Sequence, residues 1–184
     1  GSVGTEQFHF FREVDTNSFK TLSGRVALRL AIGSGGTFEI GPSGQWGTQD
    51  GAPDGGGAMW LLGGDAELDL GRLDVKAQWL RGRAPGDPVS MTYALDLKQG
   101  GSLESDLIVG PVLGLYGRIE YRDAEVSEGL ERLYLTRSWR ATGGVRLTLH
   151  PNAIVKAEYA HNGEYGGVPA IPDDVITTSA ILAF

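Results

Sequence analysis

The chain contains no cysteine, which excludes disulfides and thiolate metal centres. It has three histidines and two methionines. The histidines show no zinc spacing, and no cofactor is expected. No run approaches the ~18 apolar residues of a membrane-spanning helix, although strands that alternate in hydropathy escape that test. The net charge of −7 argues against a nucleic-acid binder. No G-x-S-x-G is present, and "GSGG" (33–36) and "GGG" (55–57) do not open helices, so nucleophile-elbow and phosphate-loop readings fail. What is abundant is glycine, 29 of 184 residues, about twice the usual share.

What organises the chain is a period of two. Strand side chains alternate between faces. Over 133–149 the odd positions include Leu133, Leu135, Trp139, Val145, Leu147 and Leu149, against Tyr134, Thr136, Ser138, Arg140, Arg146 and Thr148. A helix, with a period of 3.6, cannot produce this. Val26, Leu28, Leu30 and Ile32 oppose Arg25 and Arg29, and Trp60, Leu62, Ala66 and Leu68 oppose Asp65, Glu67 and Asp69. Leu73, Val75, Ala77 and Trp79 oppose Asp74, Lys76 and Gln78. Met91, Tyr93, Leu95 and Leu97 oppose Asp96 and Lys98, and Leu113, Leu115, Ile119 and Tyr121 oppose Arg118, Glu120 and Arg122. Phe38 and Ile40 oppose Thr37 and Glu39, and with 6–14, 153–161 and 175–184 about ten strands are expected in one domain, 1–184. Residues 99–106 fit poorly, as a bulge, an excursion or a misplaced boundary.

Short connections at 33–36, 71–72, 110–111 and 150–152 alternate with long polar ones at 15–21, 48–56, 83–88, 123–131 and 162–174. That is the meander of an all-β, up-and-down antiparallel barrel with tight turns at one end and loops at the other. Trp46, Trp60, Trp79, Tyr121, Trp139 and Tyr159 share the apolar faces. Each lies roughly 7–11 residues from its tight turn, near the ~9–11 that a tilted strand needs to cross a bilayer. A soluble core has no reason to gather every tryptophan at one height, whereas a membrane rim does. The apolar faces are therefore expected to meet lipid and the polar faces to line an interior.

On that reading Arg25, Arg29, Lys76, Lys98, Arg118, Arg122, Arg132, Arg140, Arg146 and Lys156 point inward, with Glu13, Glu39, Asp65, Glu67, Asp69, Asp74, Asp96, Glu120 and Glu158. Arg81 and Arg137 are outward, just beyond a rim tryptophan, within reach of lipid phosphates.

The last segment ends on Phe184, with Leu182, Ala180, Thr178 and Ile176 at alternate positions before it. Here the sequence resembles bacterial outer-membrane β-barrels, whose last strand ends in an aromatic residue. "GGVRLTLHPNAIVKAEY" and "PDDVITTSAILAF" resemble the final hairpins of phosphate-selective O/P-type porins. The resemblance implies an outer-membrane location, contact with lipid and lipopolysaccharide, and an assembly signal at Ile176, Ala180, Leu182 and Phe184 read by the barrel-assembly machinery. It also implies passage of ions or small solutes. Porins of that family have about sixteen strands, so the chain is either a compact relative or the C-terminal part of a longer barrel.

Two interiors are open. Arg25, Arg29, Lys76, Arg118, Arg122, Arg132, Arg140, Arg146 and Lys156, with Glu120 and Glu158, line an anion-preferring pore. Alternatively, acids and bases pair across the bore and plug it, leaving a scaffold for a membrane partner. A rim protease with an Asp–His pair is the enzymatic rival, and His161 lies near Asp173 and Asp174. However, His161 shares the parity of the lipid-facing Tyr159, and no motif supports catalysis. The acids Asp123, Glu125, Glu128 and Glu131 read as a solvated loop, or as a loose divalent-cation site.

Overall fold

The computed structural model describes residues 21–48, 58–84, 94–128, 131–170 and 173–182. They form β1 (Leu22–Arg25), β2 (Leu28–Ile32), β3 (Gly36–Thr48), β4 (Ala58–Asp69) and β5 (Leu73–Ala84). β6 (Ala94–Ile108), β7 (Leu113–Glu128), β8 (Glu131–His150), β9 (Ala153–Glu164) and β10 (Val175–Leu182) follow. All pair antiparallel in one sheet of order β1-β3-β4-β5-β6-β7-β8-β9-β10, with β2 beside β3 in the same place as β1. The break between β1 and β2 lies opposite Pro42, which has no N–H to give the ladder. Its carbonyl accepts instead from the Val26 amide at 3.1 Å.

The tight turns fall where glycine lets the chain reverse. Gly33 and Gly71 hold left-handed φ of 57° and 78°, a region that costs other residues energy. The Asp69 carboxylate accepts from the Gly71 amide at 2.7 Å, a local bond that favours the turn.

Strands contact only their sheet neighbours, so the sheet is a single layer. It has no apolar core: among the described residues the only buried hydrophobic side chain is Ala124, 3% exposed. Among the described strands β1–β2 and β10 are the two edges, and they do not pair with each other.

The strand expected at 6–14 lies outside the described residues. Two other expectations change. The awkward 99–106 stretch belongs to a continuous β6 that carries a bulge between Leu97 and Gln99, so of the three options the bulge is the one realised. The loop expected at 123–131 is mostly ladder. β7 and β8 run on past Tyr121 and Trp139, pairing Asp123 with Arg137 and Glu125 with Leu135. The charges that suggested a loop are absorbed there by cross-strand pairing.

Candidate functional site

Cross-strand partners share a face, so the register sorts the whole sheet. One line runs Arg29–Glu39–Glu67–Lys76–Glu104–Arg118–Thr142–Ala160. One residue toward the tight turns, on the other face, runs Leu30–Phe38–Leu68–Val75–Ser105–Gly117–Gly143–Tyr159–Ile176. One face is charged and the other mainly apolar. The usual relation of burial to polarity is inverted, most clearly from β6 to β9. On β8, Val145, Leu147 and Leu149 are exposed while Arg146 and Thr148 are half-buried. Leu103 and Ile119, paired on the apolar face, are 52% and 58% exposed. Side chains on the charged face also reach across an intervening strand, as described below; this is the face expected to line an interior, and it is termed the inner face.

The aromatic residues of the apolar face form a sloping band. Trp46 pairs with Trp60, and Trp60 sits opposite Arg83, four residues above Trp79. Trp79, Gly101, Tyr121, Trp139 and Gly163 share one register line, and Tyr159 lies four residues below Gly163. From β3 to β9 the band thus descends eight residues over six strand places. At about 3.4 Å per residue and 4.8 Å per place, that is an incline of about 43° to the register lines. The tight turns descend the same way. The line through Asp69, Tyr116 and Glu158 passes two residues above Gly71 but six above Asn152. The rings lie over glycines: a Cβ at Gly101 would sit 2.9 Å from the Tyr121 ring, and one at Gly163 2.6 Å from Trp139 Nε1.

The inner face carries most of the predicted wall residues. Two arginines bridge two strand intervals over a glycine. Arg25 on β1 passes over Gly41 to bind Asp65 on β4 through Nε at 2.9 Å, and donates to Glu39 at 2.8 Å. Arg146 on β8 passes over Gly114 to reach Asp106 on β6 at 3.1 Å. Lys76 lies 3.5 Å from Asp74 and 3.6 Å from Glu67, and Arg118 lies 2.7 Å from Glu120 and 3.8 Å from Glu104. The pairs of Lys76, Arg118 and Arg146 are half-exposed, worth about 0–1 kcal/mol each. Glu104 and Asp106 are wall acids that parity missed, because they sit in the segment that had no assigned strand. They neutralise cations on β7 and β8 that the sequence left without partners. Arg29, Arg122, Arg140 and Lys156 have no ion pair with any described carboxylate. Arg140 is oriented by a neutral partner, donating from Nε to Asn162 Oδ1 at 2.6 Å. Arg132 lies in β8, but its side chain is outside the described residues.

The bulge corrects three assignments. Parity puts Asp96 and Lys98 inward and Leu97 outward. The extra residue reverses this: Leu97 pairs with Gly82 and Ala124 on the inner side, while Lys98 reaches Glu125 at 3.1 Å. Asp96 pairs with Arg83 and Glu125 on the outer side. Above the aromatic band the outer face is therefore charged, with Arg81, Arg83, Lys98, Asp123, Glu125 and Arg137. Asp123 and Glu125 are bound to Arg137 (3.4 Å) and Lys98. Two of the four acids read as a divalent-cation site thus have cationic partners, the side chains of Glu128 and Glu131 lie outside the described residues, and no metal-ligating group forms among the described residues.

At the same rim the structure brings His161 and Asp174 together. Asp174 accepts from the Tyr159 hydroxyl at 2.6 Å and contacts His161 Nδ1 at 2.8 Å. The Tyr159 bond holds the Asp174 carboxyl below its usual range, against a smaller opposing desolvation. His161 also stands edge-on to Trp139, ring centres 5.3 Å apart. The cluster sits on the outer face and includes no hydroxyl or thiol nucleophile beyond the tyrosine that binds the carboxylate. Its geometry ties the segment before β10 to β9.

Cavities lie along the inner face. One of about 830 Å³ lies at its loop end and is bordered by Gln78, Ser102, Arg118, Glu120, Arg122 and Arg140 among others. Ile176, Ala180 and Leu182 are exposed on the outer face opposite Tyr159, Val155 and Ala153; Phe184 lies outside the described residues. Comparison with family models, with curated proteins and with solved structures returns no match.

Proposed function

We propose that this chain is a β-barrel of the bacterial outer membrane that passes small solutes passively, with a mild preference for anions. The observation that carries this reading is the inverted sheet. Its charged residues share one face and its leucines, valines and tryptophans the other, on a single layer with no other core. In water that apolar face would lose the burial that stabilises a fold, whereas lipid supplies it. The slope of the aromatic band supports the same reading. If the band lies in the membrane plane, the strands tilt about 43° from the normal, within the 35–45° of transmembrane barrels. Roughly nine residues from band to turn then span about 22 Å, near the ~25 Å apolar belt of such barrels. In lipid an unpaired sheet edge costs several kcal/mol per exposed polar group, so the β10 edge and the β1–β2 edge are joined on insertion.

A pore is favoured over a plug by how the charges pair. Among the described residues every ion pair links strands at most two places apart, so the pairs run along the wall rather than across a bore. The anion preference rests on Arg29, Arg122, Arg140 and Lys156, which have no such pair. The test is single-channel recording of the folded, detergent-purified chain across a KCl gradient. Steady conductance with an anion-selective reversal potential is expected, and replacing Arg118, Arg140 and Arg146 with Glu reverses the selectivity. No conductance from a demonstrably folded sample refutes the pore.

A further inference from the structure

We propose that the cavity at the loop end of the inner face is a binding site for organic carboxylates with a compact apolar body. The proposal deepens the channel reading above and rests on it for the direction in which a solute arrives. Part of the cavity wall breaks the rule that the inner face is polar. Leu80 and Leu97 point into it, Leu97 because the β6 bulge turns it inward, and Val168 and Pro169 cover it from the loop after β9. That loop is fixed in place. Gly166 and Gly167 take φ of 70° and 84° and turn the chain back. Arg137 donates to the Gly166 carbonyl at 3.2 Å, and the Tyr165 hydroxyl donates to the Arg122 carbonyl at 3.2 Å. Asn162 donates to the Asp173 carbonyl at 2.7 Å, holding the other end of the loop.

Against this apolar patch stand two guanidinium groups, Arg122 and Arg140, one register step apart along the inner face of neighbouring strands. Glu120, Glu164 and Asp173 also line the cavity. Glu120 is held by Arg118 at 2.7 Å, and among the described residues no ion pair joins any of the three to Arg122 or Arg140. The bond from Arg140 Nε to Asn162 fixes that guanidinium while leaving its terminal nitrogens for a ligand. A planar guanidinium binds a carboxylate through two parallel hydrogen bonds. Apolar walls with a few convergent polar groups, in a volume of 300–1,000 Å³, are what small-molecule sites require. A fully hydrated inorganic anion gains nothing from the leucines, the valine and the proline. A carboxylate on an aromatic or branched aliphatic body uses both halves of the site.

The test uses the folded full chain in detergent and 4-fluorobenzoate as probe, followed by fluorine NMR line broadening. Saturable binding is expected, at least tenfold tighter than competition by orthophosphate. Arg122→Gln with Arg140→Gln weakens it at least tenfold, and Leu97→Asn weakens it several-fold. The double Arg→Lys variant retains more binding than the Gln pair, which separates loss of the site from loss of fold. No saturable binding, binding unchanged in the Gln pair, or equal competition by orthophosphate overturns the proposal. Single-channel conductance is measured on the same preparations. Conductance without benzoate binding overturns this site and leaves the channel. Binding without conductance overturns the channel and leaves the site.

Discussion

If the apolar face meets lipid, a charge placed there must cost according to its depth. Leu115 provides the test. It stands on the outer face between Leu107 and Val145, is 40% exposed, and touches no charged partner in its register line. Along β7 it lies six residues from Tyr121 and four from Pro111, near the middle of the apolar span. An arginine at the midplane of a barrel costs about 2–4 kcal/mol, or roughly 30- to 700-fold in the folding equilibrium, falling to about 0–1 near either interface. Leu113→Arg and Tyr121→Arg, at the turn side and in the aromatic band, bracket it. Each is compared with alanine at the same position, so that lost packing cancels. The assay is urea unfolding of chain inserted in phospholipid vesicles, followed by tryptophan emission. A profile peaking at Leu115 is expected. A flat profile within about 0.5 kcal/mol, the usual effect of an exposed surface substitution, refutes lipid contact for this face.

The period of two was legible because each face is chemically uniform over most strands. Arg146 and Thr148 against Val145 and Leu147 need no tertiary information. The aromatic band was legible for the same reason, but its incline was not. That slope follows from pairings such as Trp60 with Arg83 and Tyr159 with Gly143, which belong to two chain segments at once. The β6 bulge defeats parity outright, since one extra residue exchanges the faces of everything before it. Leu97 and Lys98 are therefore misassigned from sequence while Glu104, beyond the bulge, obeys the pattern. The wall's charge balance was misjudged through the same segment, because Glu104 and Asp106 went uncounted. The Arg25–Asp65 and Arg146–Asp106 bridges join residues 40 apart. They depend on glycine in the strand between, a relation that no local pattern carries. The β7–β8 extension was missed because charge was read as solvation. On a hairpin whose opposite charges pair across the strands, as Asp123 and Arg137 do, charge is compatible with regular strand.

The wall glycines divide into two kinds that stability measurements should separate. A Cβ added at Gly101 would lie 2.8 Å from the Gln78 carbonyl and 2.9 Å from the Tyr121 ring, so Gly101→Ala must displace backbone and costs about 1–3 kcal/mol. A Cβ added at Gly114 would meet the movable Arg146 guanidinium at 3.1 Å; Gly114→Ala costs under about 1 kcal/mol, and a double-mutant cycle with Asp106→Asn recovers the loss of that bridge. At the rim, the lowered Asp174 carboxyl stabilises its contacts fully above its ordinary value of 3.8 and loses that contribution as pH falls below it. The Asn162 amide, which donates to Asp174 at 3.4 Å, should shift in NMR only below that pH, and Asp174→Asn should abolish the shift. A change centred near neutrality would assign it to another group. The bulge yields the sharpest prediction. Deleting Lys98 makes Leu97 and Gln99 adjacent, so strict alternation keeps Gln99 outward, Leu97 inward and Asp96 outward, as the register already has them. The deletion chain should therefore fold, resist urea to within about 1 kcal/mol of the parent and retain 4-fluorobenzoate binding, since only the half-exposed Lys98–Glu125 pair is lost. Loss of that binding in the folded deletion chain would refute Lys98 as the extra residue that sets the face of Leu97.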